Sequence, residues 1–186
     1  MIRCFALVCP IAIARVLLTG ILLILISSLA LLLYSYGSIH RAFLLEGNNL
    51  YSSNAMYVDS PPEVIFDSLG NLGPDARAFN QLEDGVRIVA SNDYSQIPFP
   101  IHQGSRFSNT GRKEALVGSK VETIYEDGER YVTVSGQRYI VAGVLGMHPN
   151  SVLMHETLIK DDELFRTNES CALIIDGSRA GISGFP

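Results

Sequence analysis

The sequence predicts an α+β protein: one N-terminal transmembrane helix followed by a mixed α/β extracytoplasmic domain with a β-rich lobe. Three observations carry this expectation. Val16 to Tyr36 is an apolar run of 21 residues without a single charge. Arg130 to Leu145 (RYVTVSGQRYIVAGVL) sets two β-branched and aromatic runs around Ser135-Gly136-Gln137, and Gly136 supplies the positive-φ residue a hairpin turn needs. Between them, Ser60-Pro61-Pro62-Glu63 has the composition of a helix start.

The apolar run comes first. At 1.5 Å per residue its helix spans about 30 Å, the hydrocarbon thickness of a bilayer. It is apolar on every face and lacks the single stripe of a helix packed on a soluble core. Arg3, Arg15 and the terminal amine precede it, and His40-Arg41 follows, so the positive-inside bias favours a cytoplasmic N-terminus. A cleaved secretory signal is the alternative. Its apolar region is usually about 7–15 residues long, and no small-x-small cleavage site follows Leu33. The organisation expected is therefore a cytoplasmic N-terminus over 1–15, a transmembrane helix over 16–36, a helical stalk over 37–46 and an extracytoplasmic domain over 47–186, in a single-pass protein of the cell membrane.

Beyond the membrane run the chain has 150 residues, enough for one domain or two small lobes. All 19 acidic residues lie there against 12 of the 14 basic ones, a net charge of −7. An acidic, mixed surface argues against nucleic acid and against a polybasic lipid patch. Cys171 is the one cysteine past the membrane run, so no intramolecular disulfide forms on that side. It reads as a small buried hydrophobe.

Gly37 to Glu46 (GSIHRAFLLE) extends the helix by two turns with Ile39, Phe43 and Leu44 on one face, the candidate coupling stalk, and Gly47-Asn48-Asn49 stops it. A strand is expected at Ala55 to Val58. A helix capped by Ser60, with Glu63 closing a capping box, runs to about Leu69 and ends at Gly70. A second short helix is expected from Pro74 to Leu82. Val86 to Ala90 alternates as a half-buried strand, and Gln96 to Ile101, with Pro98 and Pro100, reads as an edge or loop. Ala115 to Gly118 reads as a short buried strand, Asp161 to Phe165 as one helical turn and Ala172 to Ile175 as a last strand.

The search for chemistry is mostly empty. Gly111 to Lys120 (GRKEALVGSK) has six residues between its glycines where a phosphate loop has four, and a strand where that loop turns into a helix. His148, His155 and Glu156, with Met147 and Met154, come nearest to a metal set, but no spacing fixes a geometry and they read as solvated loop residues. No serine sits in a nucleophile elbow, and Asp161-Asp162-Glu163 reads as helix N-terminal charge. Asn168-Glu169-Ser170 is a glycosylation sequon, meaningless in a bacterial protein. No catalytic, cofactor-binding or metal-ligating residue is nominated, and no cofactor is expected.

Four segments in order carry a family likeness: Arg15 to Ile21 (RVLLTGI), Gly104 to Ser108 (GSRFS), Glu114 to Gly118 (EALVG) and Tyr131 to Leu145 (YVTVSGQRYIVAGVL). Together they resemble the first membrane helix and periplasmic core domain of MacB/FtsX-type ABC transporter permeases, over about fifty motif-like residues. The chain departs from that family in the extra Ser105 and in having no second apolar span. The resemblance implies a truncated permease part or a single-span relative. It also implies a mixed α/β lobe beside a mostly β lobe, and a non-catalytic role in an ABC-type export or signalling assembly. Its partners would be an ABC ATPase subunit, a multi-span permease, or both, with a homo- or heterodimer among the arrangements. The alternative is a stand-alone membrane-anchored extracytoplasmic binding module. An anchored hydrolase would need a nucleophile and base that the sequence does not offer.

Overall fold

The computed structural model describes residues 5–169 and 173–177, with side chains from residue 14 onward except residue 38. The chain falls into two units, Met1–His40 and Arg41–Pro186. The first is helical. Helix α1, Phe5–Gly47, is unbroken over 43 residues and crosses from the first unit into the second. From Val16 to Tyr36 its large apolar side chains are all more than half exposed. By length and composition it is the one described helix able to cross a membrane.

The second unit is a single mixed sheet with two layers packed on it. Its strands are β1 (Met56–Val58), β2 (Arg77–Glu83), β3 (Val86–Ser91), β4 (Ile101–Gly104), β5 (Glu114–Val117), β6 (Ile124–Glu126), β7 (Glu129–Val134), β8 (Gln137–Leu145), β9 (Thr157–Lys160) and β10 (Leu173–Asp176). The spatial order is β1-β10-β2-β3-β9-β5-β8-β7-β6, with β4 on β8. Pairs β3–β9 and β5–β8 are parallel, and the others are antiparallel. The one-or-two-lobe alternative thus becomes one continuous sheet.

Alternation along the strands feeds two cores. Ala78, Ile88, Ala90, Ala115, Val117, Ile159 and Leu173 face helices α2 (Pro62–Leu72) and α3 (Asp162–Thr167), joining Ile65, Leu69 and Phe165. Their neighbours Phe79, Val89, Leu116, Leu158 and Ile174 face the other way, onto Leu50, Tyr94, Ile97, Phe99, Phe107 and Leu153 from irregular segments. One face is covered by helices and the other by loops.

The predicted hairpin is present, with Val134 opposite Gln137 and both Ser135 (φ 49°) and Gly136 (φ 79°) left-handed, a type I′ turn. Strands β1, β3 and β5 and the turn of α3 also fall where the sequence places them, although β3 is buried on both faces and not half-buried, since Ile88 and Ala90 enter one core and Val89 the other. Asp161 caps α3 by accepting from the Leu164 amide. The final strand is seen from Leu173 on; Cys171 and Ala172 lie outside the described residues.

Two expectations are corrected. Pro74 to Leu82 is not a helix: Arg77–Glu83 is strand β2, paired on both sides by β10 and β3. Residues 77–80 are buried on both faces, so their pattern does not alternate and the Ala-rich composition misleads. Helix α2 runs past Gly70 to Leu72, and its N-cap is Pro61, without a side-chain capping bond, in place of Ser60. Glu63 lies in its first turn, where a carboxylate suits the helix dipole.

Candidate functional site

The helix-to-domain junction is the most heavily constructed place in the second unit. The chain must leave a helix whose last carbonyls lack partners. The Leu50 amide donates to Leu45 O (2.6 Å) and the Asn49 amide to Glu46 O (3.3 Å), the paired bonds of a Schellman cap with Asn49 left-handed (φ 52°). Leu45 and Leu50, the apolar pair that accompanies such a cap, are both buried. Glu46, also buried, accepts from the Met147 amide at 3.0 Å.

Two buried arginines then hold the exit segment to the sheet. Arg87 on β3 donates to Asn49 O (2.9 Å), Asn49 Oδ1 (3.1 Å) and Glu156 Oε2 (2.6 Å), with its guanidinium 5.3 Å from the Tyr51 ring centroid. Arg77 on β2 pairs with Asp176 on β10 at 2.6 Å, directly across the register, and both are buried. Asp176 also accepts from the Ser52 amide (2.8 Å) and the Ser52 hydroxyl. Burial pulls the Arg77 pKa down, against the raising pull of Asp176 and Asp75. Its Nε is the one buried side-chain polar atom without a hydrogen bond among the described residues.

A second constructed place is a cleft of about 290 Å³ lined by Phe66, Leu69, Asn92, Tyr94, Asn109, Thr110 and Asp162, among others. Tyr94 donates to Asp162 Oδ1 (2.6 Å). Burial, then that bond, raises the Tyr94 pKa well above the ordinary phenol value. Lys160, buried on β9, donates to Ser108 O and Thr110 O (2.7 Å each) and to Glu114 Oε2 (3.2 Å), fixing the loop that forms one wall. Asn109 accepts from the Tyr94 amide and donates to Asp93. Hydrogen bonds from Ser95 and Asn109 hold the half-buried Asp93 carboxyl below its ordinary pKa. Most of the cleft's polar atoms are thus spent on holding its own walls together.

No family model, curated protein or solved structure matches the chain. The functional reading therefore rests on geometry and on the sequence likeness already described.

The stalk candidates Ile39, Phe43 and Leu44 are 51 %, 55 % and 52 % exposed, whereas the adjacent Leu45 and Glu46 are buried. The helix thus turns one side of its last turns to the sheet and leaves the predicted stripe open. His148 and His155 are exposed, and Glu156 is committed to Arg87. Among the described residues no three His, Cys, Asp or Glu side chains cluster as metal ligands. Asn168, the sequon asparagine, donates its amide to Asn80 Oδ1 (2.9 Å) and receives an Asn80 bond on its own carbonyl.

Three of the four segments that carried the family likeness, Gly104 to Ser108, Glu114 to Gly118 and Tyr131 to Leu145, meet in the sheet for packing reasons. Gly104 pairs with Gly143 across β4 and β8, and a Cβ at Gly143 would lie 2.4 Å from Ser105 O. Phe107 is buried against Tyr94 and Phe99. Sequence reasoning assigned no role at the junction to Arg77, Arg87, Ser52 or Asp176, and none to Asn49 beyond stopping the helix. Asn49 sat in the predicted helix stop, but only the fold brings Asp176 to Arg77.

Proposed function

We propose that this chain is a single-pass membrane protein, N-terminus cytoplasmic, whose extracytoplasmic α+β domain is a non-catalytic coupling component of an ABC-type export or signalling assembly. The observation that carries the reading is the junction. The last turns of α1 and the five residues after it are built into the sheet by a capped helix end, two buried arginines and three buried apolar or acidic side chains. A passive tether needs none of this, since a flexible linker holds a domain near a membrane equally well. A helix end built into the sheet passes displacement or torque to the domain. The exposed stripe of Ile39, Phe43 and Leu44 is then the surface offered to a partner helix.

The experiment is photo-crosslinking from Ile39, Phe43 and Leu44 in native membranes, with the adducts identified by mass spectrometry. Adducts to a multi-span permease, co-purifying with an ATPase that carries a Walker A motif, support the assembly. A second reading, the stand-alone anchored binding module, is favoured by the cleft beside Asp162. Absence of any nucleotide-binding partner, with function retained by a domain secreted without α1, selects that module. Recovery of a mature chain beginning near Gly37 replaces the anchor by a signal sequence.

A further inference from the structure

The exit segment carries strain as well as ties. Asn49 and Leu50 are consecutive non-glycine residues with positive φ, 52° and 74°. Asparagine tolerates this region; a leucine pays for it, and such a conformation persists only where the surroundings over-determine it. The surroundings here are specific. Leu50 is fully buried, Asn49 is gripped by Arg87, and Ser52 is gripped by Asp176. Outside those grips the segment has a packed side chain, Tyr51, edge-on to Phe79 and beside the Arg87 guanidinium, and a turn bond from the Tyr51 amide to Asn48 O. Ser53 and Asn54 are exposed, no strand pairs with 48–55, and β1 starts only at Met56.

We propose that residues 48–53 form a sprung strap: a locally releasable joint that opens, with the sheet intact, by giving up the Arg87–Asn49 and Asp176–Ser52 bonds. On opening, Asn49 and Leu50 relax to ordinary backbone, Leu50 leaves its pocket and Tyr51 leaves the Phe79 ring. The cap of α1 is lost with them, because the Leu50 amide is the donor that closes it. The sheet side of the latch survives: Arg77 and Asp176 still pair across β2 and β10, and Arg87 keeps Glu156. Tension along α1 is the natural trigger, so the proposal rests on the coupling reading for its purpose, while its physical content does not.

The test is amide hydrogen exchange on the full chain in nanodiscs, read at 49–53 and at β2, β3 and β9. The expected result is exchange of the Leu50 and Ser52 amides about a hundredfold or more faster than that of Ala78, Val89 and Leu158, through opening that leaves the sheet protected. Ser52→Ala should speed exchange at 49–53 by about tenfold further, chiefly the effect of the lost bond from its hydroxyl to Asp176, the other bond at that hydroxyl being from the exposed Asn54 amide, with the sheet unchanged. Equal protection of strap and sheet in the unaltered chain overturns the proposal. So does a Ser52→Ala effect spread evenly over the domain. If Ser52→Ala does not fold, the comparison within the unaltered chain decides alone. A strap that opens in a protein without an ATPase partner leaves this inference standing and removes the assembly.

Discussion

The two faces of the sheet solve the same burial problem with different chemistry. On the helix-covered face, the strands present Ala78, Ile88, Ala90, Ala115, Val117 and Ile159 to Ile65, Leu69 and Phe165. On the loop-covered face, Phe79, Val89, Leu116 and Leu158 are joined by three ion pairs: Arg77–Asp176, Arg87–Glu156 and Lys160–Glu114. By strand alternation all three lie on that one face. The difference follows from what each layer brings. A helix arrives with its backbone bonds already made, so an apolar surface suffices against it. A loop brings carbonyls and amides that need partners once water is excluded. Each pair serves one segment: Arg77–Asp176 takes Ser52, Arg87 takes Asn49, and Lys160 takes Ser108 and Thr110.

The sharpest test contrasts Phe165→Ala with Asp176→Ala, each followed by urea unfolding of the full chain in detergent. Both should lose about 3–5 kcal/mol, the first by leaving a cavity and the second by stranding a buried guanidinium. They separate on a second substitution. Adding Arg77→Met to Asp176→Ala should recover a large part of the loss, because the orphaned charge goes with it. No such recovery would mean that the loop face is held by packing, as the helix face is. Next in size is Lys160→Met, which leaves two loop carbonyls unserved and Glu114 a buried charge with only the Ser108 amide and hydroxyl to face it, and should cost about 3 kcal/mol. Its signature is local, with faster amide exchange around 108–111.

Much of this contrast was readable in the chain and part of it was not. Hairpin β7–β8 announced itself because two β-branched and aromatic runs flank Gly136, a residue free to take the positive φ its turn needs; that Ser135 is left-handed as well emerges only in the structure. Asp127-Gly128, with φ 52° and 83°, makes a second such turn between β6 and β7, and the same signal would have found it. Strand β2 escaped because central strands buried on both faces lose the period-2 pattern. The ion pairs escaped for another reason. Arg77 and Asp176 stand 99 residues apart, and their meeting depends on β10 lying beside β2, a long-range pairing that no local pattern encodes. The apolar half of the site, Leu45 and Leu50 around the Asn49 stop, was local and therefore nearly legible.

A smaller effect comes with pH. Tyr94, on the loop face, and Tyr139, on the helix face, both have phenol pKa values raised by burial and by acidic neighbours, Asp162 for Tyr94 and Asp161 for Tyr139. The folded chain holds these protons while the unfolded chain releases them near the ordinary phenol value of about 10. Stability from both groups is fully present below pH 10 and falls as pH rises beyond it, by up to about 1.4 kcal/mol per unit for each group. Tyr94→Phe should flatten that decline by one group's share, seen as a smaller downward shift of the urea midpoint between pH 9.5 and pH 11, values chosen to bracket about 10. An unchanged slope would mean that the Tyr94 hydroxyl is not sealed between the sheet and Asp162.

The smallest effect tests the face assignment itself, at the end of the sheet where β7 and β8 run past the loop layer. Val132 and Val134 point into the helix-side core, while Thr133 between them is exposed opposite Arg138. Alternation places neighbours on opposite faces, so Val134→Ala should lose about 2 kcal/mol and Thr133→Ala no more than about 0.5 kcal/mol. The ratio carries the information. A slip of one residue in the β7–β8 register would exchange the two costs, because it turns every side chain of β7 over. Comparable losses at the two positions would place a covering layer on the open face of this hairpin, where a partner of the full-length protein would have to sit.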